Sequence, residues 1–152
     1  NALFVGLARA AGMPARDLYG LRVAPSEFGF ASLGAKNETV TKAQHCRAEV
    51  FLTDFGWFPV DPADVRKVML EEPPGNLPLD NEKVAQARKA LFGSWEGNWL
   101  AYNTAHDVTL PGSQHSQLPF LMYPQAEVQN VLLDCLDADT FKYTITAREI
   151  VT

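Results

Sequence analysis

Residues 44–61, QHCRAEVFLTDFGWFPVD, decide the fold of this chain. The first half alternates and is rich in β-forming residues, the second half runs from Trp57 to Val60, and the tetrapeptide between them, Thr53-Asp54-Phe55-Gly56, has turn chemistry. Residues 46–52 and 57–60 therefore predict a β-hairpin. Pro62 follows soon after and ends the second strand, because it cannot donate a hydrogen bond to a ladder.

The hairpin carries a His and an Asp to one end of a rigid element. His45 opens the first strand and Asp61 closes the second, and side chains in a strand alternate with a period of two. The two therefore share a face if residue 47, not 48, lies opposite residue 61, which a loop centred on Asp54 provides. Asp61 then fixes the imidazole and leaves its second nitrogen free to take a proton from a nucleophile. Spacing alone leaves open the alternative of a surface His beside an Asp that caps the next helix.

The two cysteines show no sign of a chemical role. Adjacent strand residues point to opposite faces, so Cys46 faces away from whatever His45 serves. Cys46 and Cys135 are too few and too far apart for a disulfide framework or a metal site. We therefore expect two small buried hydrophobic residues and no bound metal.

Three motifs together resemble the transglutaminase-like superfamily of papain-type cysteine enzymes: GMPAR at 12–16, HCRAEVFL at 45–52 and GWFPVDP at 56–62. The residues that match are His45, Glu49, Gly56, Trp57, Pro59 and Asp61. The resemblance implies an α+β fold with a papain-like core, in which an antiparallel sheet packs on a buried N-terminal helix. Past Glu72 the sequence resembles bacterial members that carry a C-terminal extension.

The resemblance also implies a function. His45 and Asp61 would complete a Cys-His-Asp triad for thiol acyl transfer or for hydrolysis of an amide or peptide bond. The nucleophilic Cys of the family would lie a few residues before Asn1, so residues 1–152 alone are expected to be inactive. Trp57 and Glu49 are candidates to line the substrate cleft, although Glu49 paired with Arg47 on a solvent face is the alternative. A non-catalytic domain of the same fold that binds a peptide or protein is the alternative function.

The rest of the chain supplies the remaining elements. Residues 1–72 are predicted to be the C-terminal part of the catalytic core, and 73–152 a helical connector with additional antiparallel strands of the same domain. Residues 2–11 form a helical pattern, apolar nearly all round, that predicts an interior helix ending at Gly12. A strand at 17–23, a long loop at 24–43 and helices at 62–72 and 81–92 follow. Alternating runs after residue 118 predict two or three strands that complete the sheet of the hairpin.

A second His-Asp pair lies in SWEGNWLAYNTAHDVTLPG, residues 94–112. His106 and Asp107 are adjacent in sequence, and no Cys or Ser precedes them at a motif spacing. We expect instead a Trp-rich strand packed against the core, with Asn98 and Asn103 as further candidates for a polar cleft.

Composition limits the function classes. The chain has 152 residues, 47% of them apolar and 20% charged, which is typical of one globular core. Its formal charge of −5 and scattered Lys and Arg argue against nucleic-acid binding. No apolar run approaches the roughly 20 residues of a membrane helix. The expected partner is a peptide or protein substrate, with no cofactor and with dimerisation through exposed apolar surface as a further possibility. Localisation stays open.

Overall fold

A computed structural model describes residues 1–150, which form an α+β structure of three helices and an antiparallel four-stranded sheet. The helices are α1 (Ala2–Ala10), α2 (Pro62–Glu71) and α3 (Glu82–Ala90). The strands are β1 (Ala15–Arg22), β2 (Gln44–Leu52), β3 (Gly56–Val60), β4 (Trp99–Asn103), β5 (His106–Val108), β6 (Leu118–Phe120), β7 (Glu127–Val128) and β8 (Val131–Leu132). In the described part of the chain, no helix has the length and apolar character that spanning a membrane requires. The predicted division at residue 72 stays a prediction.

The predicted hairpin, β2 and β3, forms one half of the sheet, with β3 at its edge. The strand order is β3-β2-β1-β4, with every neighbouring pair antiparallel. Within the hairpin, Leu52 pairs with Gly56 and Ala48 pairs with Val60. Continued by one residue, this register sets position 47 opposite position 61, as predicted for a loop centred on residue 54. His45 and Asp61 therefore share one face of the sheet.

Helix α1 packs on the sheet through one face. Val5 and Ala8 are buried against a cluster from the three neighbouring strands: Ala15, Ala48, Val50 and Val60. Leu3 and Leu7 point the other way and are 77% and 62% exposed. The prediction of a buried helix therefore holds for one face only, because the sheet covers a single side of it. Gly12, at φ +81°, follows the helix end as predicted.

The long loop between β1 and β2 is built into a second core. Phe30 and Leu33 are buried with side chains of α2, α3 and the segment that joins them: Val68, Met69, Leu77, Val84, Ala87 and Leu91. Asn98 fastens the loop from the other side by donating from Nδ2 to the carbonyl of Leu33 at 3.0 Å. This loop therefore fixes α2 in place, rather than lying loosely on the surface.

The prediction for the tail was wrong. The main sheet recruits β4 as its fourth strand, whereas β5 and β6, and separately β7 and β8, form two-stranded ribbons. Residues 141–147 do alternate as predicted, with Phe141, Tyr143, Ile145 and Ala147 half-buried and the residues between them exposed. Residues 145–147 lie against residues 38–41, where the Val40 amide donates to the Ile145 carbonyl at 2.9 Å and one isolated bridge joins Thr39 and Thr146. The alternating burial of these side chains therefore comes from packing on a loop, not from a strand of the main sheet.

Gly20 allows β4 to approach β1 beside His45. A Cβ at this position would lie 2.4 Å from both the Leu100 carbonyl oxygen and the indole ring of Trp99. Gly20 is also paired directly with His45 across β1 and β2. Its missing side chain therefore leaves room for the indole next to the imidazole.

We expect Gly20→Ala to lower the free energy of unfolding by about 1–3 kcal/mol, since overpacking forces backbone or ring to move. The measurement is urea unfolding. Gly6→Ala is the matched control: a Cβ there meets nothing within 4 Å, and alanine in a helix interior should raise stability by about 0.5–1 kcal/mol. Equal stability of wild type and Gly20→Ala would contradict the tight approach.

Candidate active site

The carboxylate of Asp61 stands where three elements meet. Its Oδ1 accepts from the Asp64 amide at 3.0 Å, which caps α2. The same oxygen accepts from the side-chain amide of Asn1, next to the start of α1, at 3.0 Å. Its Oδ2 faces His45. Asp61 therefore caps α2 with one oxygen and contacts His45 with the other, and the catalytic role of the pair stays a prediction.

His45 uses one ring nitrogen for this carboxylate and leaves the other free. Nε2 lies 2.8 Å from Asp61 Oδ2 and 3.3 Å from Asp64 Oδ1. Ionised carboxylates only accept, so the hydrogen-bond network assigns the proton of neutral His45 to Nε2 and the lone pair to Nδ1. No group within residues 1–150 makes a hydrogen bond to Nδ1. The side chain is 10% exposed, so the free nitrogen belongs to a nearly enclosed ring.

Two buried arginines complete the cluster. Arg22, on β1, donates from Nη2 to Asp64 Oδ1. Arg47, on β2, has its Nε 3.3 Å from Asp61 Oδ2 and donates from Nη1 to the Glu96 carbonyl at 2.7 Å. Arg47 is 1% exposed, and its guanidinium carbon lies 4.8 Å from the ring centre of Trp99. Two carboxylates thus face two guanidinium groups around one imidazole.

The environment moves the pKa values of the two carboxyl groups in opposite directions. Burial alone would raise the pKa of Asp61, but the hydrogen bond and charge of His45 and the bonds from Asn1 and Asp64 outweigh it and hold this pKa below its usual value. Burial and the charge of Asp61 raise the pKa of Asp64, although His45 and Arg22 oppose them. Asp61 is therefore the carboxylate that stays ionised beside the imidazole.

Several buried polar atoms of this cluster have no hydrogen-bond partner among the described residues. Within the described residues, no hydrogen-bond partner reaches Asp64 Oδ2, Arg22 Nε, or Nε and Nη2 of Arg47. The contact of Arg47 Nε with Asp61 is thus an ion pair without hydrogen-bond geometry. Buried polar atoms in native proteins are bonded in the large majority of cases, and each exception calls for an explanation.

A metal site at the same place fits the residues poorly. His45, Asp61 and Asp64 each offer one ligand atom, all within 4.8 Å of one another. However, Arg22 and Arg47 point positive charge at the same carboxylates. A divalent cation would meet both guanidinium groups at close range, where repulsion between buried charges is strong. The two guanidinium groups therefore argue against a metal ion at this place.

Trp99 encloses the site from the side of β4. Its Nε1 donates to the His45 carbonyl at 2.9 Å, and its ring packs edge-on against Trp95 with centres 5.7 Å apart. The sequence predicts that Trp57 packs either across the hairpin or over the imidazole. Trp57 packs across the hairpin on Phe51, with ring centres 5.6 Å apart. Phe51 lies six residues along β2 from His45, a distance of about 20 Å at the rise of a strand.

Glu49 lies on the same face, two positions beyond Arg47. It accepts from Arg16 Nε at 2.8 Å, and the Arg16 guanidinium lies 4.0 Å from the ring centre of Trp57. The predicted pairing of Glu49 with Arg47 is wrong, since Arg47 turns to Asp61 and its side chain is fully buried. The role of Glu49 and Trp57 in a substrate cleft stays a prediction.

The other candidates lie elsewhere. Cys46 is half-buried on the face opposite His45, and burial raises the pKa of its thiol. His106 packs edge-on against Tyr19, with ring centres 5.8 Å apart. Asn103 donates from Nδ2 to the Leu121 carbonyl at 2.8 Å, and Asn98 holds the long loop. Both asparagines therefore have structural bonds.

Sequence reasoning missed four residues of the site: Arg22, Arg47, Asp64 and Trp99. Only Asp64 carried a local signal, because D-P-A-D places an acid three residues after a helix cap, where its amide bonds back. The others come from β1, β2 and β4, and their contacts depend on sheet pairing.

Comparison with known proteins gives the family. Residues 1–62 match the family model described as the transglutaminase-like superfamily. This part of the chain belongs to the transglutaminase-like superfamily. The match includes His45 and Asp61 and stops before Asp64 and α3. It confirms the resemblance drawn from the three motifs, and the α+β structure with its antiparallel sheet agrees with a transglutaminase-like core.

One curated relative extends over nearly the whole chain. It is an uncharacterized protein of Haemophilus influenzae, 40% identical over 159 residues, an alignment that takes in 99% of this chain and 42% of the Haemophilus protein. The chain thus spans less than half the length of this relative. No solved structure matches.

We expect Asp61→Asn to lower the free energy of unfolding at neutral pH by about 3–5 kcal/mol, because it leaves the buried Arg47 without a carboxylate. Asn keeps the helix cap, so the change isolates the charge. The folded pKa of Asp61 lies below its ordinary value of 3.8, so its contribution is full above that value and is lost as pH falls through the folded pKa. Chemical unfolding from pH 2 to 7 should show wild type and variant converging in acid.

The matched control is Asp54→Asn, which removes the same charge from the exposed turn of the hairpin. It should leave stability within about 0.5 kcal/mol of wild type at every pH. A constant gap between wild type and Asp61→Asn down to pH 2 would show that the Asp61 charge is not the source of the effect.

Proposed function

We propose that the protein performs thiol acyl-transfer chemistry on an amide or peptide bond, with His45 as the general base and then the general acid. Asp61 orients His45, and the nucleophile is a Cys that precedes Asn1. The observation that carries this proposal is the contact of His45 Nε2 with Asp61 Oδ2 at 2.8 Å, which leaves Nδ1 as the free base. The membership of residues 1–62 in the transglutaminase-like superfamily supports it.

The start of α1 supports the position of the nucleophile. Asn1 donates from Nδ2 to Asp61 Oδ1 at 3.0 Å and to the Cys46 carbonyl at 2.7 Å. The beginning of α1 and the imidazole of His45 are therefore each one hydrogen bond from the same carboxylate. A thiol next to the N-terminus of a helix is favoured as thiolate, because the helix dipole and free amide groups stabilise negative charge there.

His45 would transfer protons in each step of the proposed reaction. Nδ1 of His45 takes the thiol proton, and the thiolate attacks the amide carbonyl. His45, now positive and held by Asp61, returns its proton to the leaving amine as the C–N bond breaks. Water, deprotonated by His45, releases the acyl group as an acid, or an amine accepts it. Of these two outcomes we propose hydrolysis.

The test is alkylation of the full-length protein with iodoacetamide from pH 4 to 9, followed by peptide mapping. We expect a Cys before Asn1 to react well below the ordinary thiol pKa of about 8.5. His45→Ala should slow that reaction at pH 6 on the order of 100-fold, because the thiolate fraction falls when its cationic partner is removed. Cys46 is an internal reference in the same digest and should label slowly, since its pKa is raised.

His115→Ala is the control variant, because His115 lies in an exposed loop and contacts the Asn130 carbonyl. It should leave the profile unchanged. If no thiol before Asn1 reacts early, or if His45→Ala does not slow it, the triad is wrong. The chain is then better described as a binding domain of the same fold.

A further inference from the structure

Residues 123–143, which lie outside the family match, build a cavity against residues 41–44, which lie within it. Its volume is about 410 Å³, within the range of small-molecule sites. Its lining includes three aromatic, two basic and two polar side chains: Tyr123, Phe141, Tyr143, Lys42, Lys142, Thr41 and Gln44. Gln44 ties the two walls together by donating from Nε2 to the Tyr143 hydroxyl at 3.1 Å.

The cavity lies beside the beginning of α1. Side chains at positions 44, 46, 48 and 50 of β2 share one face of the sheet, and α1 packs on that face over Ala48 and Val50. The start of α1 is held at Cys46 through Asn1. Gln44 is the next residue on this face, about 7 Å further along the strand. Along β2, the cavity therefore follows the point at which Asn1 holds the start of α1.

The cavity is lined by positive charge, although the chain as a whole is negative. The chain carries a net charge of −5, yet no carboxylate is among the described residues that line the cavity. Within residues 1–150, neither Lys42 nor Lys142 lies within ion-pair distance of an acidic side chain. Both are exposed, so they offer positive charge at the rim while the aromatic rings form the wall.

We propose that this cavity is a substrate subsite, which takes an aromatic or large apolar side chain adjacent to a carboxylate. The aromatic rings contact the apolar side chain, and the two lysines pair with the carboxylate. This inference rests on the proposed acyl-transfer function, because it assigns the cavity to the same substrate. The substrate would then be a peptide that is acidic and apolar at the residue bound next to the reacting bond.

The experiment measures binding of small probes to the full-length protein by titration calorimetry. N-acetyl-phenylalanine carries both the aromatic ring and the carboxylate. N-acetyl-phenylalanine amide lacks the carboxylate, and N-acetylglycine lacks the ring. We expect the amide and N-acetylglycine to bind at least tenfold more weakly than N-acetyl-phenylalanine. N-acetyl-Phe-Asp-amide presents the carboxylate on a side chain, and its affinity distinguishes an acidic residue from a free C-terminus as the source.

Lys42→Gln and Lys142→Gln should each weaken N-acetyl-phenylalanine several-fold. Lys89→Gln on α3 removes an exposed charge that does not line the cavity, and it should leave this affinity unchanged. N-acetyl-phenylalanine should also slow alkylation of the thiol before Asn1. Equal affinity for acid and amide, or binding without this protection, would overturn the subsite while the His45-dependent thiol stands. Absence of a reactive thiol in the unliganded protein would overturn the proposed function and the subsite together.

Discussion

The structure depends on the burial of one ionised carboxylate, that of Asp61. A charge taken out of water is strongly unfavourable unless hydrogen bonds and opposite charges replace the solvent. Asp61 receives those replacements from three directions: the first turn of α2, the start of α1 through Asn1, and the imidazole of His45. Its lowered pKa shows that they more than offset burial. The same demand that stabilises the charge therefore fixes where two helices begin and how the imidazole is turned.

Stability alone does not account for the rest of the cluster. Arg22, Arg47 and Asp64 are buried with atoms that lack partners in the described residues, and the pKa of Asp64 is raised against ionisation. Replacing buried ion pairs by apolar residues of similar volume is often neutral or stabilising. Stability is therefore not a sufficient reason for these charges, and they surround the imidazole to which the proposed function assigns proton transfer.

The sequence predicted those features that local rules control. The hairpin, its register and the shared face of His45 and Asp61 follow from turn position and a period of two. The helix stop at Gly12 follows from a positive φ. The prediction that the tail completes the main sheet was wrong, because alternation indicates only which side chains are buried. Packing on a loop can bury alternate side chains as well as pairing in a sheet can. The roles of Arg22, Arg47 and Trp99 could not be predicted, because these residues are far apart in sequence and meet only after β1, β2 and β4 have paired.

Support for the site extends past the residues that match the family. The guanidinium of Arg47 is shielded from water by Trp95, the Glu96 carbonyl and Trp99, all beyond residue 62. Ion pairs in water contribute little, whereas the same pair in a low-dielectric interior interacts strongly. Removal of residues 95–99 would hydrate Arg47, weaken its hold on Asp61, and free the His45 carbonyl that Trp99 binds. The electrostatics of the transglutaminase-like region therefore depend on a segment that lies outside the family match.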